Sequence, residues 1–405
     1  MSLKDYIILV PDMLEPHFDV AAKILKDDGY NVVILRNDSE EVITAGLESV
    51  HNDMCYPALI VIGQFIDALR SGKFDNSKVA LLISQTGGGC RASNYIYLLR
   101  KALKDSSFEY VPVVSFNPNS MDENSLVLRK ITIIKIFLAI FYCDLIMYLF
   151  NKCVSYELNS GDSKEALRKS SEFVQSLTTS MKFFRMKKNY KTILKYFSDI
   201  KLSDEKKVKV GIVGEIYIKY SPIGNKKLNE YLVSQGAEVV NSGLIDFILS
   251  SLYDAIHDKD IYGTNSKSYK MSKIIAYIFE KLEEDMIKIV KNNSKFTPPI
   301  SFKYIKDIAK DYIGYGVKMG EGWLLTAEMA AFVRNGIDNV ISVQPFGCLP
   351  NQIIAKGMIR KIKELHGNAN IIAIDYDPGS SKTNQENRIK LMLSSAKRNL
   401  NPKEG

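Results

Sequence analysis

The chain has 405 residues, room for two or three domains at ~150 residues each, and its 46% hydrophobic and 25% charged content excludes a disordered or fibrous protein. The formal charge of +8 is local: Lys182 to Lys209 carry ten basic residues against Asp199, Asp204 and Glu205, a surplus of seven. The remainder is nearly neutral, which excludes a general nucleic-acid coat. In chain order, Tyr6 to Val10 reads as a first strand, Phe18 to Lys26 as an amphipathic helix and Asn31 to Leu35 as a second strand. Ala58 to Leu69 opens like a strand, but Leu59, Ile62, Phe65, Ile66 and Leu69 recur at helical spacing. Pro57 suits a first helical turn and Gly72 a helix end, so a helix is predicted. Val79 to Ser84 predicts a third strand, Arg91 to Leu103 a helix and Tyr110 to Ser115 a fourth strand. Continuous apolar strands alternating with helices predict a parallel sheet covered on both faces.

From Asp122 to about Lys206 no strand pattern appears, and an increasingly basic helical connector is expected. The apolar run Ile131 to Phe150 contains Lys135 and Asp144, charges that a membrane span rarely tolerates, so it is predicted to be a buried helix. A second α/β pattern follows. Its strands are expected at Lys209 to Gly214, Glu238 to Val240, Asn339 to Val343 and Asn370 to Ile374. Its helices are expected at Asn225 to Gln235, Leu325 to Val333 and Asn351 to Leu365. The predicted architecture is α/β: two Rossmann-like parallel-sheet domains, 1–128 and 207–405, the second with a helical insertion, joined by a helical connector over 129–206. No basic leader with an apolar core and cleavage site opens the chain, and five cysteines is an odd number. A reduced, cytoplasmic protein without disulfides and without a membrane span is expected.

Three cysteines share an unusual setting. Cys55 precedes Tyr56-Pro57 at the start of a predicted helix. Cys90 follows Gly87-Gly88-Gly89 and opens another. Cys348 stands before Leu349-Pro350, ahead of the helix from Asn351. A sulfur at a helix start faces unpaired N–H groups and is expected to ionise readily, the form that binds metal or attacks. Cys143 and Cys153, in the apolar helical stretch, are expected to be small core residues. Spacings of 35 and 258 residues do not suit an ordinary zinc knuckle, although a site with His51 as fourth ligand stays open, as does a purely structural role. Three soft ligands with one open position also fit an iron–sulfur cluster.

The segments Asn52-Asp53-Met54-Cys55-Tyr56-Pro57-Ala58, Gln85 to Tyr95, Gly320 to Thr326 and Val343 to Asn351 resemble the 2-hydroxyacyl-CoA dehydratase superfamily. The likeness is greatest to the C-terminal part of large CoA-enzyme activase-like proteins, a branch that includes double-cubane-cluster proteins. It extends to Gly211 to Glu215 and Ile374 to Gly379, and so covers nearly the whole chain. The resemblance implies a cubane-type cluster on Cys55, Cys90 and Cys348. It also implies an ATP-hydrolysing activator, domain or protein, that injects a low-potential electron. In the dehydratases that electron makes a ketyl radical of a 2-hydroxyacyl-CoA thioester; in the double-cubane branch small molecules are reduced. Five cysteines cannot supply six ligands from one chain, so a single [4Fe–4S] cluster is expected rather than a double cubane. An acyl-CoA substrate and a second dehydratase-like subunit or a homodimer are implied as partners. The competing reading is a non-catalytic electron-transfer or scaffold module of a larger activase-like protein.

Around the cysteines, Gly88, Gly89, Arg91 and Gln344 are candidates to support the cluster, and Glu321 is the candidate catalytic residue. Glu321 and Trp323, the only tryptophan, read equally well as a helix-start acid and an aromatic core anchor. Asn94 lies in the same helical turn as Arg91, and Asp375 could cap or line a cleft. No Gly-x-x-x-x-Gly-Lys-Ser/Thr loop is present, and Gly211 to Gly214 lacks the full dinucleotide fingerprint, so those glycines are expected to serve a strand and its turn. The basic stretch could attract the phosphates of CoA or an acidic activator, or form a solvated helix face.

Overall fold

A computed structural model describes residues 3–51, 53–84, 88–115, 126, 128–264 and 267–400. It is an α/β protein with two four-stranded parallel sheets. The first contains β1 (Ile7–Pro11), β2 (Asn31–Leu35), β3 (Val79–Ile83) and β4 (Val113–Ser115), in the order β2-β1-β3-β4. The second contains β5 (Lys209–Gly214), β6 (Glu238–Asn241), β7 (Asn339–Pro345) and β8 (Asn370–Tyr376), in the corresponding order β6-β5-β7-β8. In each sheet the first strand is flanked by the second and the third, so the connections leave to opposite sides there. Such a switch point opens a crevice at the carboxyl ends of the strands.

The helices of the first half are α1 (His17–Asp27), α2 (Glu40–Ser49), α3 (Tyr56–Arg70) and α4 (Tyr95–Asp105). Pro57 sits in the first turn of α3, as expected, and 13 side chains of α3 are buried, which explains why its sequence reads as apolar all round. α2 was not foreseen. Its buried face is Val42, Ala45, Gly46 and Ser49, with one large apolar residue, so its period is faint. α2 and α3 approach closely, and a β-carbon on Gly46 or Gly63 would overlap the facing backbone. β4 begins at Val113, later than expected, because Val111 N–H bonds Phe108 O in a turn. The helix after Cys90 starts as a 3₁₀ turn, Arg91–Asn94, before α4.

Next come α5 (Lys130–Val154), α6 (Asp162–Leu177) and α7 (Met186–Ser198). α5 packs against α1, α6, α7 and β6. It is long and apolar enough to cross a membrane by length and composition, yet half of its most apolar window is buried inside the protein. Its two interior charges are satisfied: Lys135 Nζ donates to Thr178 O at 2.6 Å, and Asp144 accepts from His17 and from two backbone N–H groups. Cys143 and Cys153 are fully buried in this layer, as expected of core residues.

The second half adds α8 (Ile216–Tyr220), α9 (Leu228–Ser234), α10 (Leu244–Tyr262), α11 (Lys267–Asn293), α12 (Phe302–Ala309), α13 (Trp323–Arg334), α14 (Lys356–Leu365) and α15 (Lys382–Leu400). The helix expected from Asn225 begins only at Leu228, whose N–H bonds Asn225 Oδ1 at 3.0 Å; α8 was not foreseen. The segment after Cys348 winds as a π-helix over Asn351–Ala355 before α14. A β-carbon on Gly211 would overlap Phe332 of α13, and one on Gly214 would overlap Val343 O, so these glycines serve close packing in the sheet. One apolar core runs from β1, β3 and α3 through to β5, β7, β8 and α15, joining the two sheets.

Candidate functional site

The three motif cysteines all stand at helix starts, and the loops carrying them meet. Cys55 is the N-cap of α3 and Cys90 the N-cap of the 3₁₀ turn before α4. Cys348 lies between β7 and the π-helical turn, and its N–H bonds Pro345 O. Tyr56 N–H donates to Phe346 O at 3.0 Å, and a β-carbon on Gly347 would lie 3.0 Å from the Cys55 Cα, so the first and third loops are in contact. Cys55 Sγ is 3.0 Å from Tyr95 Oη, in the first turn of α4. The guanidinium of Arg91 bonds Asp53 O, tying the Cys90 turn to the Cys55 loop. Gly89 N–H donates to Met319 Sδ at 3.2 Å, and a β-carbon there would stand 2.6 Å from that sulfur. Gly320 in turn rests on Pro350. Four loops, three of them carrying the cysteines, therefore meet here.

Two carboxyls share the site. Glu215, just beyond β5, caps α8 by accepting from Ile218 N–H at 2.8 Å, and Glu321 Oε1 accepts from Ile216 N–H at 2.9 Å. Burial pushes Glu215 up to about 8, reinforced by Glu321, and burial also raises Glu321. Burial thus favours the protonated form of Glu215 near neutrality and shifts Glu321 in the same direction. Turned so that both ends of its amide are satisfied, Asn351 donates to Val343 O at 3.2 Å and accepts from Glu215 N–H at 3.0 Å.

The expectation of readily ionised thiols is corrected. Burial raises Cys55, Cys90 and Cys348 above the ordinary thiol value, and Glu215 pushes the same way at each. The Tyr95 hydroxyl and the charge of Arg91 oppose this at Cys55 only in part. Loss of water outweighs the helix starts, so the free thiols hold their protons. Among the described residues, no group of three or more His, Cys, Asp or Glu side chains is arranged to hold a single metal ion. His51 is exposed and faces Asp53 at 3.5 Å. The donor set would nevertheless suit a cluster, since Cys55, Cys90 and Cys348 offer soft sulfurs from separate loops beside two buried carboxyls.

The remaining candidates separate. Gly88 faces open space. Gln344 is buried, donates to Ser342 Oγ at 2.9 Å, and leaves Oε1 without a partner. Asn94 is exposed, and Asp375 is half-exposed, near Lys356 and Arg388. Trp323 opens α13, fully buried, with its indole N–H on Asp254 at 3.0 Å. Lys206, Lys207 and Lys209 of the basic stretch line a groove of about 770 Å³ where β5, β7 and β8 begin, the opposite end of those strands from Cys348. Asn52, Gln85, Thr86 and Gly87 of the quoted motifs lie outside the described residues. Tyr95, Glu215 and Asn351 stood inside those motifs without a role; only their partners in space single them out. Comparison with family models found no match, and comparison with curated proteins found none.

Proposed function

We propose that this chain is an iron–sulfur component of the 2-hydroxyacyl-CoA dehydratase type. It would accept low-potential electrons from an ATP-hydrolysing activator, for reductive or radical chemistry on a CoA thioester or a small molecule. The observation that carries the reading is the meeting of Cys55, Cys90 and Cys348, from three helix starts fed by both sheets, in one enclosure with Tyr95, Glu215 and Glu321. When bound, a [4Fe–4S] cluster on those sulfurs supplies one-electron transfer at low potential. The protein's part is to exclude water and hold protons. The three thiols must release theirs on ligation. Once Cys55 is a thiolate, the Tyr95 hydroxyl 3.0 Å away would donate to it, and Glu215 and Glu321, both shifted toward the protonated form by burial, stand near Cys348 and Cys90. The finer fold assignment belongs to the same reading: Rossmann-like domains 1–128 and 207–405 with 129–206 as helical connector. So do a cytoplasmic location, an acyl-CoA substrate, and a second subunit or homodimer.

The test is anaerobic purification with a visible spectrum and a count of iron and acid-labile sulfide. Brown protein with about four irons per chain, lost in Cys55→Ala, Cys90→Ala and Cys348→Ala but kept in Cys143→Ala, is expected. Folded protein that stays colourless after reconstitution sinks the reading. Turnover with an activator then separates an enzyme, which changes a substrate, from a relay, which only oxidises the activator.

A further inference from the structure

A second polar site lies away from the cysteines, in a cavity of about 150 Å³ between the edge strand β6 and helices α5, α10 and α11. Asp144, Asn241, Asp246 and Glu283 line it. Asp144 is neutralised where it stands, by His17 Nε2 at 2.8 Å and by the N–H groups of Leu244 and Ile245 at 2.9 Å, the first turn of α10. The other three are not. Asp246 is 3% exposed and receives no hydrogen bond or ion pair among the described residues. Glu283 is 4% exposed and accepts one, from Phe302 N–H at 2.8 Å. Asn241 is 8% exposed, and neither its amide nitrogen nor its oxygen has a partner. The neighbouring buried cation, Lys219, is already held by Glu328 at 3.1 Å and by Ser242. Asp246 and the whole Asn241 amide thus line the cavity without a partner, beside a Glu283 carboxyl that has only one, an arrangement that a ligand would complete.

We propose that this cavity is a binding site for a hard divalent cation, held by the Asp246 and Glu283 carboxylates and the Asn241 amide oxygen. The donors are all oxygen, which selects Mg²⁺, Ca²⁺ or Mn²⁺ over zinc or copper. Two carboxylates balance the charge of one such ion. The cavity exceeds the ~30 Å³ share of a single water several-fold, so the ion keeps part of its own water shell, as Mg²⁺ prefers. Lys152, Lys209 and Thr297 line both this cavity and the large groove at the start of β5, which gives an entry route. The site is independent of the iron–sulfur reading.

The experiment is titration of the intact chain with Mn²⁺, read by loss of the free-ion electron paramagnetic resonance signal. One Mn²⁺ per chain, displaced by Mg²⁺ or Ca²⁺, is expected. Binding should weaken at least about tenfold in Asp246→Asn and in Glu283→Gln, whose amide oxygen can still accept from Phe302 N–H. No binding at about 1 mM, the weak end of protein sites for such ions, overturns the proposal. So does Mn²⁺ binding that Asp246→Asn and Glu283→Gln, both still folded, leave unchanged.

Discussion

Gly347 lies so close to Cys55 that a β-carbon placed on it would stand 3.0 Å from the Cys55 Cα and 3.2 Å from its nitrogen. With Tyr56 N–H on the neighbouring Phe346 O, this contact joins the end of β7 to the start of α3. It sets one cysteine loop against another across 292 residues of chain.

Gly347 has φ +71°, where a β-carbon is strained even without the close neighbour. Gly347→Ala is expected to cost about 1–3 kcal/mol in urea unfolding and, if the proposed cluster is bound, to lower the iron retained. Gly357→Ala, in α14 with nothing near its β-carbon, is the control and should stabilise by up to about 1 kcal/mol. Equal effects at the two positions would remove the special role of Gly347.

Thiol reactivity of the cluster-free protein should follow burial. Cys90 is the one cysteine that is not fully buried, and burial raises all five, Cys153 to about 12. Iodoacetamide is expected to modify Cys90 first, at a rate still climbing above pH 9, because only the thiolate reacts. Peptide mapping over time checks the order. Prior modification of Cys348 or Cys55 would show that those thiols are ionised after all.

The buried indole of Trp323 donates to Asp254, whose carboxyl burial pushes up to about 7. Between the ordinary value near 4 and 7, the folded protein keeps a proton that the unfolded chain has released. Stability from this group therefore falls as pH rises through that window, by at most about 1.4 kcal/mol per pH unit, and levels off above it. Since Trp323 is the only tryptophan, its fluorescence should titrate with a midpoint near 7. In Asp254→Asn both the fluorescence step and this part of the stability slope should vanish.

Gly211 separates a packing role from a nucleotide-binding one. Gly211→Ala forces a β-carbon onto Phe332 and should destabilise by about 1–3 kcal/mol. A dinucleotide added to the unaltered protein should leave its melting temperature unchanged. A clear upward shift would restore the phosphate-loop interpretation of Gly211 to Gly214.

Local rules in the sequence were enough for much of this molecule. Seven of the eight strands among the described residues fall within two residues of their predicted spans because buried parallel strands carry unbroken apolar runs. β4 is shorter because Phe108 to Pro112 turns first. α3 was legible from its period and Pro57, whereas α2 hid behind small residues and the five-residue α8 is too short to show a period. The three cysteines were visible because Pro and Gly fix the backbone beside them. Their meeting was implied by the family resemblance and not by any local rule, since it depends on loops from both sheets closing on one another. Nor was their protonation: a helix start is a local feature and lowers a thiol's pKa, but burial is a sum over the whole fold and raises it further. The same holds for Glu215 beside Glu321 and for Asp246 beside Glu283. Each is an ordinary acid in the sequence, and only packing that removes water and brings a second carboxyl near makes it chemically unusual.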